Sequence, residues 1–428
     1  MEDTLKTKKK APIKYILSVL FLVTLIVVTI IVLCTQYDMK QVYNVVKMIR
    51  YRYIFAGMSL MFIYIFFEGL ATRKILMTMD CRTSIINNFS YAAIDYYFSA
   101  VTPSATGGQP MAGYYMTKDD IPVTKTSISL LINTCLFKFV LLILSLVVFI
   151  GGFITGRNYV TSRPLVLVLF VLGFFINILF IIGLLLIVFK RNWVEAIGLR
   201  LLLLARKLKI IKKNKFKIIR KFKIKMDEYE AAAHIMITHR WKFFFATLYN
   251  FIQRIAYFSM AYFVFLAFRE VYPELNNMTY FDLISIQIII ALSVDSLPLP
   301  GGVGISEFLY IFLYGQIYVT AVAGIYDTEA IVASAMLFTR AISFYLPVII
   351  TCLIFIIKHV LTMRKSIKRA HESELLIENK EKDGNIDNSV IIDNESIKTE
   401  NIIEKPKDEE DSSKEMIKWL DFGIIQYI

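Results

Sequence analysis

Seven ionisable side chains sit within or beside long apolar runs: Glu68, Asp95, Lys138, Arg254, Asp295, Glu307 and Arg340. A charge at bilayer depth is costly, and such residues are normally paired or functional. Glu68 and Asp95 fall near apparent span ends, where an interfacial place is as natural as a functional one. Glu307 and Arg340 point more strongly to function. Glu307 closes the stretch Leu297-Pro298-Leu299-Pro300-Gly301-Gly302-Val303-Gly304-Ile305-Ser306-Glu307. Pro298 and Pro300 interrupt helical hydrogen bonding, and the glycines permit backbone angles that other residues avoid. Backbone groups freed by such a break cannot face lipid; they must be buried in protein or line a wet cavity.

An earlier stretch, Val101-Thr102-Pro103-Ser104-Ala105-Thr106-Gly107-Gly108-Gln109-Pro110, breaks the chain in the same manner. The chemistry these residues suit is the binding of a charged headgroup. A half-helix starting near Val303 would aim its N-terminal amides at the break, where they attract anions such as phosphate. Arg340 can add a bidentate phosphate contact and Lys138 a point charge. Glu307 would balance that field or recognise a cationic headgroup; equally, it could cap its own half-helix or pair with Arg340. The combination suits a zwitterionic or aminoacylated lipid headgroup. The expected binding set is Pro103, Gly107, Gly108, Lys138, Asp295, Pro300, Gly301, Gly302, Gly304, Glu307 and Arg340.

Other chemistries find little support. Gly301 to Gly304 lack the phosphate-loop pattern. No Ser-His-Asp or Cys-His constellation is visible, and neither the four cysteines nor the four histidines have metal-ligand spacing. No catalytic residue, cofactor or metal is expected.

The elements that must hold these residues are membrane helices. The chain has 428 residues, is 57% hydrophobic and has a mean hydropathy of +0.58. Its apolar runs are long enough to span a bilayer, which takes about 20 residues. Full spans are expected near residues 13–33, 53–70, 127–150, 164–189, 241–268 and 329–357, and hairpins of two half-helices near 88–116 and 281–319. The fold class read here is an all-α polytopic membrane protein, with about six transmembrane helices and two re-entrant half-helix hairpins in an inverted repeat. The expected division is a cytoplasmic N-terminus at 1–12, a first membrane repeat at 13–150, a second at 151–360 and a disordered cytoplasmic tail at 361–428.

The net charge of +13 is unevenly placed. If both hairpins return to their own side, residues 71–87, 117–126, 190–240 and both termini share one face and carry most of the Lys and Arg. By the positive-inside rule that face is cytoplasmic. The basic stretch between Lys190 and Lys225 then suits the anionic lipids of the inner leaflet rather than nucleic acid. The two halves share an order of span, span, hairpin, span, in opposite orientation. Each has a Gly-Gly at its break and a cation, Lys138 or Arg340, in the span that follows. Inverted repeats with broken helices are a transporter architecture, with binding near the midplane. A homo-oligomer is left open.

The segment Pro300-Gly301-Gly302-Val303-Gly304-Ile305-Ser306-Glu307 resembles the transmembrane region of lysylphosphatidylglycerol synthase/flippase proteins, the bacterial multiple peptide resistance factors. Thr102-Pro103-Ser104-Ala105-Thr106-Gly107-Gly108 is similar to that family's earlier Pro/Gly-Gly motif, and Arg340 with Phe344-Tyr345-Leu346-Pro347 to its last-helix arginine motif. The resemblance covers roughly residues 10–360. It implies a bacterial cell-membrane translocase that moves phospholipid between leaflets, including aminoacylated phosphatidylglycerol, and so lowers surface negative charge and resists cationic peptides. It offers as alternatives a phosphatidylglycerol lysyltransferase or its membrane subunit, and a scaffold for envelope-polymer or glycolipid synthesis. The lysyltransferase reading is disfavoured because full-length relatives load the amino acid with a soluble domain. The polar residues after Lys365 are too few for one.

Overall fold

The computed structural model describes residues 39–102, 105–157, 159–161, 163–189, 220, 223–224, 227, 234–235, 238–275, 278–295, 302–322, 325 and 328–382. Within them the α-helices run α1 (Met39–Met48), α2 (Tyr51–Leu76), α3 (Ile85–Val101), α4 (Gly108–Lys118), α5 (Val123–Thr155) and α6 (Pro164–Phe189). After the basic stretch come α7 (Arg240–Val271), α8 (Tyr280–Asp295), α9 (Ile305–Val322), α10 (Thr328–Arg340) and α11 (Leu346–Lys382). No strand occurs among the described residues. Among the described residues, five helical segments are long and apolar enough to cross a membrane, matching five of the six expected spans. The first expected span, at 13–33, and most of the basic stretch lie outside the described residues. The chain is an all-α polytopic membrane protein.

Local chemistry sets the helix ends. Ser84 caps α3 by accepting from the Asn87 amide at 3.1 Å. Pro164 opens α6 at the position where its missing N–H goes unneeded. Gly156 ends α5 with φ of 68°. Thr279 and Asp282 cap α8 reciprocally, each side chain accepting from the other's amide.

Both interrupted regions fold as helix pairs. α3 and α4 pack together, and Lys358 Nζ bridges Asn87 Oδ1 at 3.0 Å and Asp119 Oδ2 at 2.6 Å across their outer ends. Arg369 forks onto Asp120 beside them and holds the Asp120 carboxyl below its usual range. The Met79 carbonyl, at the C-terminal end of α2, is bound by Lys125 at this same end. At the opposite end of α2, Arg50 and Arg52 grip Glu270 of α7 at 2.9 and 2.5 Å. There Arg157, just past α5, pairs with Asp282 at the start of α8, and Tyr314 of α9 donates to the Leu283 carbonyl at 2.7 Å. The two hairpins therefore open toward opposite ends of the molecule and point their tips at one another. The most extensive helix contact joins α2 and α7, the second span of each half, packed antiparallel. The first hairpin packs on α2 and α11, and the second on α5, α6, α7 and α10.

Close approach demands glycine at several of these crossings. A Cβ on Gly69 would stand 2.8 Å from the Asn88 carbonyl oxygen of α3, and one on Gly173 would strike the Leu292 backbone of α8. Outward faces carry large apolar residues such as Phe62, Phe139, Leu146, Val168, Phe175, Ile349 and Leu353, as lipid contact requires.

Within the last expected span, a π-helical turn, Ala341–Tyr345, joins α10 to α11. Pro347 has no N–H for the Ser343 carbonyl four residues earlier; Tyr96 of α3 donates to that oxygen instead, at 2.8 Å. The expected disordered tail at 361–428 begins too early, because α11 continues to Lys382. Its extension is held by Arg369 and Lys365 on Asp120. Residues 383–428 lie outside the described residues.

Candidate functional site

A cavity of about 690 Å³ lies between the hairpin tips. All seven ionisable residues singled out from the sequence line it: Glu68 from α2, Asp95 from α3, Lys138 from α5, Arg254 from α7, Asp295 from α8, Glu307 from α9 and Arg340 from α10. Residues far apart in sequence thus meet because each half contributes a span, a hairpin tip and a following span.

The second hairpin tip is tied by two ion pairs. Arg340 Nε donates to Glu307 Oε1 at 2.6 Å, and Arg340 Nη2 donates to Ser306 Oγ. Glu307 Oε2 accepts from the Gly304 amide at 2.7 Å and from Ser306 Oγ at 2.9 Å. Glu307 therefore caps α9 and pairs with Arg340 at once, so the first free amide of the half-helix is occupied by the chain's own carboxylate. On the other leg of this hairpin, Lys138 Nζ donates to Asp295 Oδ2 at 2.9 Å and to Asn177 Oδ1 of α6 at 3.0 Å. The two cations expected to hold phosphate are thereby matched to acids.

The first hairpin tip is built differently. Thr102 Oγ1 accepts from the Gly107 amide at 2.8 Å, closing the turn, and Ala105 carries a positive φ of 54°. A Cβ on Gly108 would collide with the Asp95 and Ser99 side chains, so this glycine lets α4 start flush against α3. Asp95 accepts from Ser99 Oγ at 3.0 Å, and its carboxyl interacts with that of Glu68. Gln253 donates to Glu68 at 3.3 Å. Neither acid forms an ion pair among the described residues. Tyr64, Tyr96 and Tyr257 form an aromatic wall beside them, with Tyr64 centroids 6.1 Å from Tyr96 and 5.3 Å from Tyr257.

Of the expected binding set, Lys138, Asp295, Gly302, Glu307 and Arg340 line the cavity. Gly107, Gly108 and Gly304 shape the tips behind it, Gly302 and Gly304 at φ of 65° and 92°. Pro103, Pro300 and Gly301 lie outside the described residues. Glu68 and Asp95, open to an interfacial reading from sequence, face the cavity instead. Arg254, Asn133, Gln109 and the tyrosines line the cavity in addition to the expected set. A signal was present: Asn250, Gln253, Arg254 and Tyr257 recur at helical spacing on one face of an otherwise apolar span.

Fold and site together define a multi-pass membrane protein with a charged cavity between two opposed helix hairpins. A family model described as the lysylphosphatidylglycerol synthase TM region matches residues 15–351, and the chain belongs to that family. A comparison with curated proteins finds no match.

Proposed function

We propose that the protein is a lipid translocase of the bacterial cell membrane, with both termini in the cytoplasm and both hairpins re-entrant. One observation carries this reading: a cavity of about 690 Å³, lined by seven ionisable side chains, inside a helix bundle whose outer face is apolar. Ligand cavities commonly measure about 300–1,000 Å³, large enough for a headgroup while the acyl chains stay in lipid. The opposed hairpins give the cavity two symmetry-related walls, and rocking of one repeat against the other would open it to each leaflet in turn. The substrate proposed is a phospholipid, including aminoacylated phosphatidylglycerol, whose outward movement would lower envelope negative charge and raise resistance to cationic peptides. The basic stretch between Lys190 and Lys225 would rest on anionic inner-leaflet lipids.

The test is reconstitution of the full chain in liposomes containing headgroup-labelled phospholipids, bleached from outside by an impermeant reductant. Translocation predicts that label in the inner leaflet becomes accessible faster than in protein-free liposomes. An unchanged protected fraction for every phospholipid tried, aminoacylated ones included, would contradict the reading.

A further inference from the structure

The charges lining the cavity are unequally satisfied. Arg340 and Lys138 are held by Glu307 and Asp295. Arg254 is not held in that way. It is 6% exposed, and its Nε and Nη2 are buried without a hydrogen-bond partner. Its guanidinium carbon lies 3.3 Å from the centre of the Phe137 ring. Asp295 and Glu68 act on it only through space, and no ion pair joins it to an acid among the described residues. A buried guanidinium with empty donors is expensive to maintain, and its planar fork fits two oxygens of a phosphate or carboxylate. Glu68 and Asp95 line the same cavity and form no ion pair among the described residues.

We infer that Arg254 is the anion receptor of the cavity, taking the phosphodiester of a phospholipid headgroup, and that Glu68 with Asp95 takes an ammonium carried by that headgroup. Phe137 holds the guanidinium flat, and the neighbouring tyrosines supply the faces on which an ammonium and its carbon chain can lie. The two ion pairs at the second hairpin tip then serve as its framework rather than as ligand contacts. The assignment rests on the reading that a headgroup enters this cavity. It adds a specificity: phospholipids bearing a primary amine are preferred over those with a neutral headgroup.

The test measures binding without a bilayer, so that it stays separate from transport. The purified full chain in detergent is titrated calorimetrically with dihexanoyl phosphatidylethanolamine and dihexanoyl phosphatidylglycerol. Losing a charged hydrogen-bonding partner is expected to weaken both lipids roughly tenfold or more in Arg254→Gln, with part of the affinity returning in Arg254→Lys. Glu68→Gln with Asp95→Asn is expected to erase the preference for the ethanolamine lipid. Arg254→Gln affinities within twofold of the native protein, or a double variant that keeps its preference, would overturn the assignment while leaving a translocase standing. No binding of either lipid by the native protein would overturn the headgroup cavity itself. Should Arg254→Gln fail to fold, the isosteric acid double variant decides alone, since retained preference contradicts the proposal.

Discussion

The two hairpin tips face each other across one cavity, yet they solve the problem of buried charge in opposite ways. At the second tip each acid has a cation from a neighbouring span: Glu307 has Arg340 and Asp295 has Lys138. At the first tip Asp95 has only Ser99 and the adjacent Glu68 carboxyl, and no Lys or Arg approaches within ion-pair distance among the described residues. Within the membrane, a closed pair is a structural joint, whereas an open charge is a request for a partner. Arg254, which forms no ion pair among the described residues, belongs to neither tip but to α7, which packs against the span carrying Glu68. The charges around the cavity are therefore paired at the second tip and unpaired at the first among the described residues.

Breaking the closed side is expected to have the largest effect. Arg340→Met leaves Glu307, whose side chain is 6% exposed, as a buried unpaired charge. The expected loss is about 3–5 kcal/mol of stability, read as a lowered unfolding temperature in detergent. Joint replacement by Arg340→Met and Glu307→Leu should recover most of it, because the stranded charge is gone.

The glycines sharpen the comparison at an intermediate size. Gly108 is required for space, since its Cβ would meet Asp95 and Ser99, and Gly108→Val should cost about 1–3 kcal/mol through overpacking. Gly304 is required for conformation: nothing lies within 4 Å of its Cβ position, but its φ is 92°. Gly304→Ala should cost about 1–2 kcal/mol, and unlike Gly108→Val it should leave the Glu68 and Asp95 carboxyls in place. Thermal unfolding of the two variants, alone and combined with Asp95→Ala, separates the mechanisms. Removing the Asp95 carboxyl group should reduce the Gly108→Val penalty and leave the Gly304→Ala penalty unaltered.

The smallest stability effect is expected on the open side. Glu68→Gln with Asp95→Asn removes two acids that have no cation, so the unfolding temperature should stay level or rise. A fall as large as that of Arg340→Met would mean that these acids are structural and that the two tips do not differ.

Much of this arrangement was legible in the sequence. Prolines and glycines marked both breaks, because few other residues interrupt an apolar helix so abruptly. The seven intramembrane charges were visible for the same reason, that apolar surroundings make a charge conspicuous. What the sequence hid was pairing. Lys138 and Asp295 lie 157 positions apart and Arg340 and Glu307 33 apart, and no local pattern says whether such groups meet each other or a ligand. Arg340 and Lys138 thus looked like phosphate receptors, while Arg254 carried no motif. The π-helical turn was likewise hidden, since Pro347 shows that a carbonyl is freed but not that Tyr96 from the first half will bind it.

The proposed headgroup position lies between the first hairpin tip and α7, against the wall of the second tip. Its most direct test is photocrosslinking of the full chain in liposomes, using a phosphatidylethanolamine whose headgroup bears a photoreactive group, followed by peptide mapping. Labelling is expected on α2 and α3 around Tyr64 to Ser99 and on α7 around Arg254, suppressed by excess unlabelled phosphatidylethanolamine. Labelling confined to the outward apolar faces, around Phe139, Phe175 or Leu353, and unaffected by competitor, would contradict it.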